Sequence, residues 1–574
     1  MSDLNPPNNG FQFSDHALSL LENYYMNQSE KPTEALRRAA YAYANNPALA
    51  ERVYQYALNG WFMFSSPILS NAGRTGMPIS CFLTYVDDTI EGLLSHTNEL
   101  RMMSVIGGGV GGHWSDVRAV SKKAPGPIPF LKTVDADVVA YRQGSVRRGS
   151  YAAYIDISHP DILEFASIRL PTGGDPNRKC FNLHNAINIS DEFMQAVVNG
   201  AQWNLIDPHS KEVRDTVDAR ELWQRLLETR FRTGEPYLCF IDTANRALPQ
   251  SLKDKGLRIN GSNLCSEIFL PTAADRSAVC CLSSVNVERF DDWCDTNMVS
   301  DLIEFLDDVL QYFIDHAPKS LARAIYSASR ERSLGLGAMG FHAYLQSRMI
   351  PFEGLYATIQ NHRIFSTIKR QAEEASRRLA LTRGEYPDGI GTGLRNAHLL
   401  AIAPNSNSAV LMDTSPSIEP WKSNSYTHRT RAGAFRTDNP YLVRLLKTKE
   451  GVSVEEVMDS VVLNGGSVQH LSCLTDDEKA VFKTAFEIDQ MWLVEHASER
   501  QEYICQGQSL NLFFPFGTDK NYVNAVHLSA WRKGLKSVYY LRTEANKTAE
   551  KVSEKVERKP LKDYAIEECL SCQG

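Results

Sequence analysis

Seven short runs rich in apolar, β-branched and aromatic residues punctuate the chain, at 79–86, 151–157, 181–189, 279–287, 399–403, 510–514 and 537–541. Each has the length and composition of a β-strand. The stretches between them carry helical spacing. The clearest follows Ser300, where Leu302, Phe305, Leu306, Val309, Leu310 and Phe313 recur at i, i+3, i+4 and so form one buried face. Strands that alternate with helices predict an α/β body. Ahead of it, residues 15–61 are rich in Ala, Leu, Tyr and Arg, with Pro47 as a break, and predict an N-terminal helical layer. Thr475 and Glu478 form a capping box before Val481, Ala485, Ile488 and Trp492, which predicts one long helix there.

At 574 residues the chain is long enough for one large body plus helical additions. Its 43% hydrophobic and 22% charged residues are those of a globular enzyme. A net charge of -7 argues against wrapping a nucleic-acid backbone. Neither a secretory signal near Met1 nor an apolar run of about 20 residues is visible, so the expected compartment is the cytoplasm, or the host cytoplasm for a viral chain. The 11 cysteines are odd in number and scattered, unlike a secreted disulfide framework, and are expected to be mostly reduced.

Residues 542–574 hold seven Lys or Arg, seven Asp or Glu and Tyr564 as the only aromatic, which predicts a mobile tail. It finishes in Cys569-Leu570-Ser571-Cys572, the spacing of a redox dithiol or of half a zinc site. A tether of 29 residues from Tyr540 to Cys569 has a root-mean-square reach of roughly 30 Å. The dithiol can therefore visit an interior site.

Cys81 and Cys280 lie on strand-like segments and, taken alone, read as core cysteines. Cys265 differs, because Asn263 and Glu267 flank it two residues away on either side. In an extended segment all three side chains share a face; a loop could also converge them. An amide can orient a hydroxyl, a carboxylate can take its proton, and a sulfur radical can abstract hydrogen from carbon, so the trio suits a sugar. The plainer reading is a turn before a strand with an exposed acid.

Asn263-Leu264-Cys265-Ser266-Glu267-Ile268, with Ala278-Val279-Cys280-Cys281-Leu282 downstream and Ser80-Cys81 upstream, resembles the active-site set of ribonucleotide reductase large subunits. Trp531-Arg532-Lys533-Gly534-Leu535-Lys536-Ser537-Val538-Tyr539-Tyr540 resembles the radical-transfer segment of the class I members. The resemblance runs in family order from about Phe62 to Cys572. It implies an α/β barrel of ten strands with a central finger loop carrying Cys265, at 62–541, between the helical region 1–61 and a redox tail 542–574. No ATP-cone motif is evident before Phe62, so a short form without dATP shut-off is expected.

The resemblance also implies roles. Cys265 would carry a thiyl radical, Glu267 would be the base at the 3′ hydroxyl, and Asn263 would orient the ribose. Cys81 and Cys280 would supply two electrons, and Cys569 and Cys572 would restore them; the neighbouring Cys281 introduces an ambiguity over the partner of Cys81, and counting to Leu282-Ser283 favours Cys280. Tyr539 and Tyr540 would pass the radical. Ser66, Ser80, Gly108, Gly109, Asn405, Ser406, Asn407 and Ser408 would contact substrate, and Asp88, Arg118, Gln143 and Arg147 an effector nucleotide. The implied partners are a radical-generating small subunit, a thioredoxin- or glutaredoxin-like reductant, nucleoside diphosphate substrates and a second copy in an effector-dependent homodimer. Catalysis would need no metal in this chain, the radical cofactor lying in the partner, and magnesium would accompany the effector dNTP or ATP.

Overall fold

The computed structural model of this chain describes residues 11–74, 76–141, 149–430 and 433–544, without the side chains of 427–435. Three helices, Asp15–Tyr24, Pro32–Tyr43 and Pro47–Leu58, form the N-terminal layer. Ser14 caps the first by accepting from the Ala17 amide, and Asn46 caps the third with Pro47 in its first turn. There proline's missing N–H costs nothing. Pro32 starts the second helix in the same way.

The body is a barrel of two parallel half-sheets. The strands Cys81–Tyr85, Gly109–His113, Ser150–Asp156, His184–Ile189 and Tyr237–Phe240 pair in parallel, in chain order. Ala278–Asn286 pairs in parallel with Leu334–Met339. From there isolated parallel bridges Leu336 to Leu400 and Ile402 to Gln508 continue the ring, and Leu512–Phe514 pairs in parallel with Leu541–Thr543. The halves meet antiparallel twice, Cys81–Tyr85 on Ala278–Asn286 and Ser537–Val538 on Tyr237–Phe240. Two sets of five strands thus close the ten-stranded barrel expected. Helix Met298–His316 packs outside with Leu302, Phe305, Leu306, Val309, Leu310 and Phe313 buried, as its spacing predicts.

Two of the chain's departures from expectation bear on how the body is built. The long helix expected after Thr475 is two helices, Asp476–Val481 and Gln490–Gln501. The capping box is present, but the Ala485 amide is taken by the Trp421 carbonyl and Asp489 caps the second helix. Strands Gly109–His113, Tyr237–Phe240 and Leu334–Met339 carry no expectation at all; two of them are built on glycine.

Those glycines are there for room. A Cβ on Gly111 would lie 2.0 Å from the Ser262 carbonyl oxygen, and one on Gly109 2.6 Å from Leu264. The segment 259–270 threads the barrel without regular structure, against the face these glycines leave bare. This is the finger loop.

Candidate active site

The loop is held by its own polar groups. Asn263 Oδ1 accepts from the Glu267 amide at 3.0 Å and the Ile268 amide at 3.1 Å, closing a tight turn in which Ser266 takes φ +65°. Tyr154 donates its hydroxyl to the Asn263 carbonyl at 2.6 Å, and His113 Nε2 donates to the Ser262 carbonyl at 3.2 Å. Ser509 Oγ donates to the Cys265 carbonyl at 2.5 Å and lies 3.1 Å from Glu267 Oε2. Ser537 Oγ donates to the Ser266 carbonyl at 2.8 Å. The loop is thus clamped from both half-barrels, by His113 and Tyr154 on one side and Ser509 and Ser537 on the other.

Cys265, Asn263 and Glu267 are all buried. Asn263 Nδ2 is buried without a hydrogen-bond partner among the described residues. An unpaired buried donor is costly, and a ligand hydroxyl would satisfy it. Burial pushes the Glu267 carboxyl up to about 7, with the Ser509 hydroxyl pulling the other way. A carboxyl poised there can both take and return a proton near neutral pH.

Cys81 stands directly opposite Cys280 across the antiparallel seam. Such cross-strand pairs have Cα atoms roughly 4.5–5.5 Å apart, within the roughly 4.4–6.8 Å that a disulfide spans. Gln506 ties this pair to the finger loop: its Oε1 accepts from the Phe269 amide at 3.1 Å and its Nε2 donates to Cys280 Sγ at 3.5 Å. Burial raises the Cys280 thiol well above its ordinary range, opposed by the Gln506 amide. Cys280 packs with Cys81, Ile268 and Leu270 inside the barrel, whereas Cys281 belongs to the outer core with Phe305 and Leu306. Successive strand residues point to opposite faces, so of the two neighbours it is Cys280 that faces Cys81.

At the second seam Tyr539 and Tyr540 have ring centroids 4.3 Å apart and share an apolar cluster with Cys265, Leu264 and Tyr154. Tyr237 packs on both, at 4.6 and 4.9 Å. Tyr540 OH lies 3.3 Å from His184 Nδ1, itself 2.7 Å from Glu235 Oε1. Burial raises the Glu235 carboxyl, but His184 and Arg169 hold it below its usual range.

The remaining expected residues fall in two groups. Ser66 begins the helix Ser66–Asn71, and Ser406, Asn407 and Ser408 lie in the short helix Ser406–Leu411. Asn405 precedes that helix at φ +57° and commits its side chain to Ser284 Oγ at 2.8 Å and the Ala338 carbonyl at 3.0 Å. Tyr25 OH joins the two segments, 2.9 Å from both Ser66 Oγ and Asn407 Nδ2. The Ser80 carbonyl accepts from the Gly109 amide at 2.7 Å, and a Cβ on Gly108 would meet Phe82 at 2.7 Å. Asp88 and Arg118 form an ion pair at 2.7 Å. Gln143, Arg147, Cys569 and Cys572 lie outside the described residues.

Ser509, Gln506, Tyr154, His113 and Tyr237 carry no sequence expectation. The signal available for two of them is Gln506-Gly507-Gln508-Ser509, a polar stretch running directly into a buried strand.

A ten-stranded barrel of two antiparallel-joined halves, with a cysteine on its central loop and two more on its seam, defines a class, and the chain belongs to the ribonucleotide reductase family. The family model described as ribonucleotide reductase, barrel domain, matches residues 79–392 and 388–541, and the all-alpha domain of the same enzyme matches 11–76. The chain is 58% identical over 531 residues to the putative ribonucleoside-diphosphate reductase large subunit of Frog virus 3, covering 92% of this chain and 93% of that one. It is 43% identical to the ribonucleoside-diphosphate reductase large subunit of Invertebrate iridescent virus 3, with 98% of each covered. Among solved structures, the Actinobacillus ureae class Id ribonucleotide reductase alpha subunit superposes with a TM-score of 0.83 at 37% identity, over 93% of this chain and 97% of that one. The chain is an enzyme, with ribonucleoside-diphosphate reductase large-subunit function. No helix among the described residues is long and apolar enough to cross a membrane.

Proposed function

We propose that this large subunit works by thiyl-radical chemistry at Cys265, with the radical supplied by a separate small subunit. The observation that carries the reading is the convergence inside one barrel of Cys265, Asn263 and Glu267 on the finger loop with Cys81 and Cys280 on the seam.

The Cys265 sulfur radical takes the hydrogen atom from C3′ of the ribose. Glu267 removes the 3′ hydroxyl proton, and the unsatisfied Asn263 amide holds a neighbouring hydroxyl in place. The 2′ hydroxyl leaves as water with a proton from the Cys81 and Cys280 pair. That pair supplies two electrons and closes to a disulfide, Cys265 returns the hydrogen to C3′, and the radical is regenerated. Atoms and electrons balance as one ribonucleotide and one dithiol giving one deoxyribonucleotide, water and one disulfide. Cys569 and Cys572 then reduce the disulfide by exchange, a step that needs access by thiolate, and a thioredoxin- or glutaredoxin-like protein reduces them.

The small subunit's cofactor supplies the oxidising equivalent. Tyr539 and Tyr540, in ring contact and clustered with Cys265, carry it inward. The hydroxyls of Ser66, Ser406 and Ser408, with neighbouring backbone amides, receive the diphosphate. Asp88 and Arg118, with Gln143 and Arg147, bind an effector nucleotide with magnesium, in a homodimer that the effector stabilises and in the cytoplasm. Effector and substrate then raise or lower each other's affinity by the same factor.

The deciding experiment replaces Cys265 by Ser and assays the purified chain with its small subunit, each nucleoside diphosphate and a dithiol reductant. Reduction falls below detection while the Cys569 and Cys572 thiols stay reactive. Deoxynucleotide formation by C265S would sink the radical assignment.

A further inference from the structure

Gln506 lies where the finger loop, the strand Leu334–Met339 and the seam of Cys81 and Cys280 come together. Its main chain is fixed on both sides. The amide donates to the Leu400 carbonyl at 3.1 Å, and the carbonyl accepts from Gln501 Nε2 at 2.9 Å and from the buried Lys536 Nζ at 2.5 Å. The side chain has one workable orientation. Oε1 accepts from the Phe269 amide at 3.1 Å and Nε2 donates to the Leu334 carbonyl at 2.8 Å, and neither backbone group can reverse its role. The second Nε2 hydrogen serves the contact to Cys280 Sγ at 3.5 Å.

The two sulfurs of the seam are not equivalent. Cys280 is 1% exposed, in a strand, Ala278–Asn286, that is buried throughout, whereas Cys81 begins its strand and is partly exposed. A thiolate opens a disulfide along the S–S axis, from the side of the attacked sulfur away from its partner, so access to that side decides which sulfur is struck. Beyond Cys280, on the side away from Cys81, runs Leu334–Met339. There a Cβ on Gly335 would lie 2.7 Å from Cys280 Sγ, and the Gln506 amide touches the same sulfur. The sulfur that leaves carries the negative charge. Burial raises the Cys280 thiol, Cys81, Cys281 and Glu267 push the same way, and the Gln506 amide opposes them. A hydrogen bond to a charged acceptor is roughly twice as strong as one to a neutral acceptor, so this N–H favours the thiolate.

We infer that reductive opening of the seam is polarised: the incoming thiolate bonds to Cys81 Sγ, the S–S bond breaks, and Cys280 leaves with the electron pair as a thiolate held by Gln506. One S–S bond forms as one breaks. The second thiol of the reductant then displaces Cys81, closing the reductant's own disulfide, and both seam sulfurs take protons from solvent. Two electrons pass from the reductant to the seam. This rests on the reading that Cys81 and Cys280 close to a disulfide. Gln506 acts as a positioning residue, seating the leaving sulfur with the same amide that holds the finger loop at Phe269.

The test uses the full chain with Cys569→Ser and Cys572→Ser, so that no tail thiol intervenes. Diamide closes the seam, 2-mercaptoethanol opens it, and acid quenching, alkylation with N-ethylmaleimide and peptide mapping locate the products. The 2-mercaptoethanol adduct is expected on Cys81 and N-ethylmaleimide on Cys280; the thiol adduct on Cys280, on both or on neither overturns the inference. Gln506→Met in the same chain slows opening about tenfold, the effect of losing one hydrogen bond to a charged group. With Cys81→Ser added, Q506M also moves the pH midpoint for alkylation of Cys280 up by about one unit. Loss of the Phe269 tether alone leaves that midpoint in place, so an unmoved midpoint or an unchanged opening rate overturns the inference. If Q506M unfolds below assay temperature, the adduct map, made with Gln506 intact, decides alone. Diamide needs neither substrate nor small subunit. A wild-type chain that turns over without oxidising the pair would count against the proposed function, while the adduct map still decides the polarity.

Discussion

Glu267 combines burial with the proposed duty of a base, and the two oppose each other. With its carboxyl raised to about 7 by burial, a substantial fraction is protonated at neutral pH and cannot accept the 3′ hydroxyl proton. Turnover should therefore rise with pH through about 7, as the carboxylate forms. Glu267→Gln should remove that limb from the pH profile and lower kcat by roughly 10²–10⁴; a rate limb unchanged in E267Q would assign it elsewhere. Stability moves the other way. The folded value lies above the ordinary 4.5, so this group's contribution is whole below about 4.5 and is lost as pH rises through about 7. E267Q should accordingly melt above the unaltered chain at pH about 8 and level with it at pH about 4, in scans at matched salt.

At the scale of elements, the finger loop depends on what its neighbouring strand lacks. A methyl on Gly111 would fall 2.0 Å from the Ser262 carbonyl and 2.8 Å from the Asn263 Cα, both backbone atoms that cannot swing aside. Gly111→Ala should cost about 1–3 kcal/mol in denaturant unfolding and abolish turnover by displacing Asn263. Wild-type rates in G111A would show that the loop tip tolerates movement. The same economy explains what the sequence hides. Val279 to Val287 is legible as a strand because β-branched residues line it, and Met298–His316 because its apolar face repeats. Gly109–His113 and Leu334–Met339 are strands whose glycines make space for Ser262, Leu264, Cys280 and Ala401, and strand propensity does not register space. Cys265, Asn263 and Glu267 are legible because they are adjacent in sequence. Ser509 and Gln506 are not, because they reach the loop from more than 230 residues away. The single helix expected after Thr475 fails because the Trp421 carbonyl, a tertiary partner, takes the Ala485 amide.

For the whole molecule, the proposed roles divide between the two seams. One carries Cys81 opposite Cys280, the other carries Tyr539 and Tyr540 beside Tyr237, and the finger loop lies between them. The proposed chemistry is thus placed where the parallel halves meet antiparallel. The first seam has a mechanical meaning as well. Residues 81 and 280 are separated by most of one half-barrel, so a covalent bond between them encloses a ring of roughly 200 residues. Closing a loop of that size removes on the order of 5 kcal/mol of freedom from the unfolded chain. An enzyme that has just finished a turnover is, on this account, a stapled barrel, and an enzyme ready to begin is an open one. Its melting temperature should drop on treatment with dithiothreitol and the drop should vanish in C280S, so that calorimetry alone can count how much of a preparation is spent.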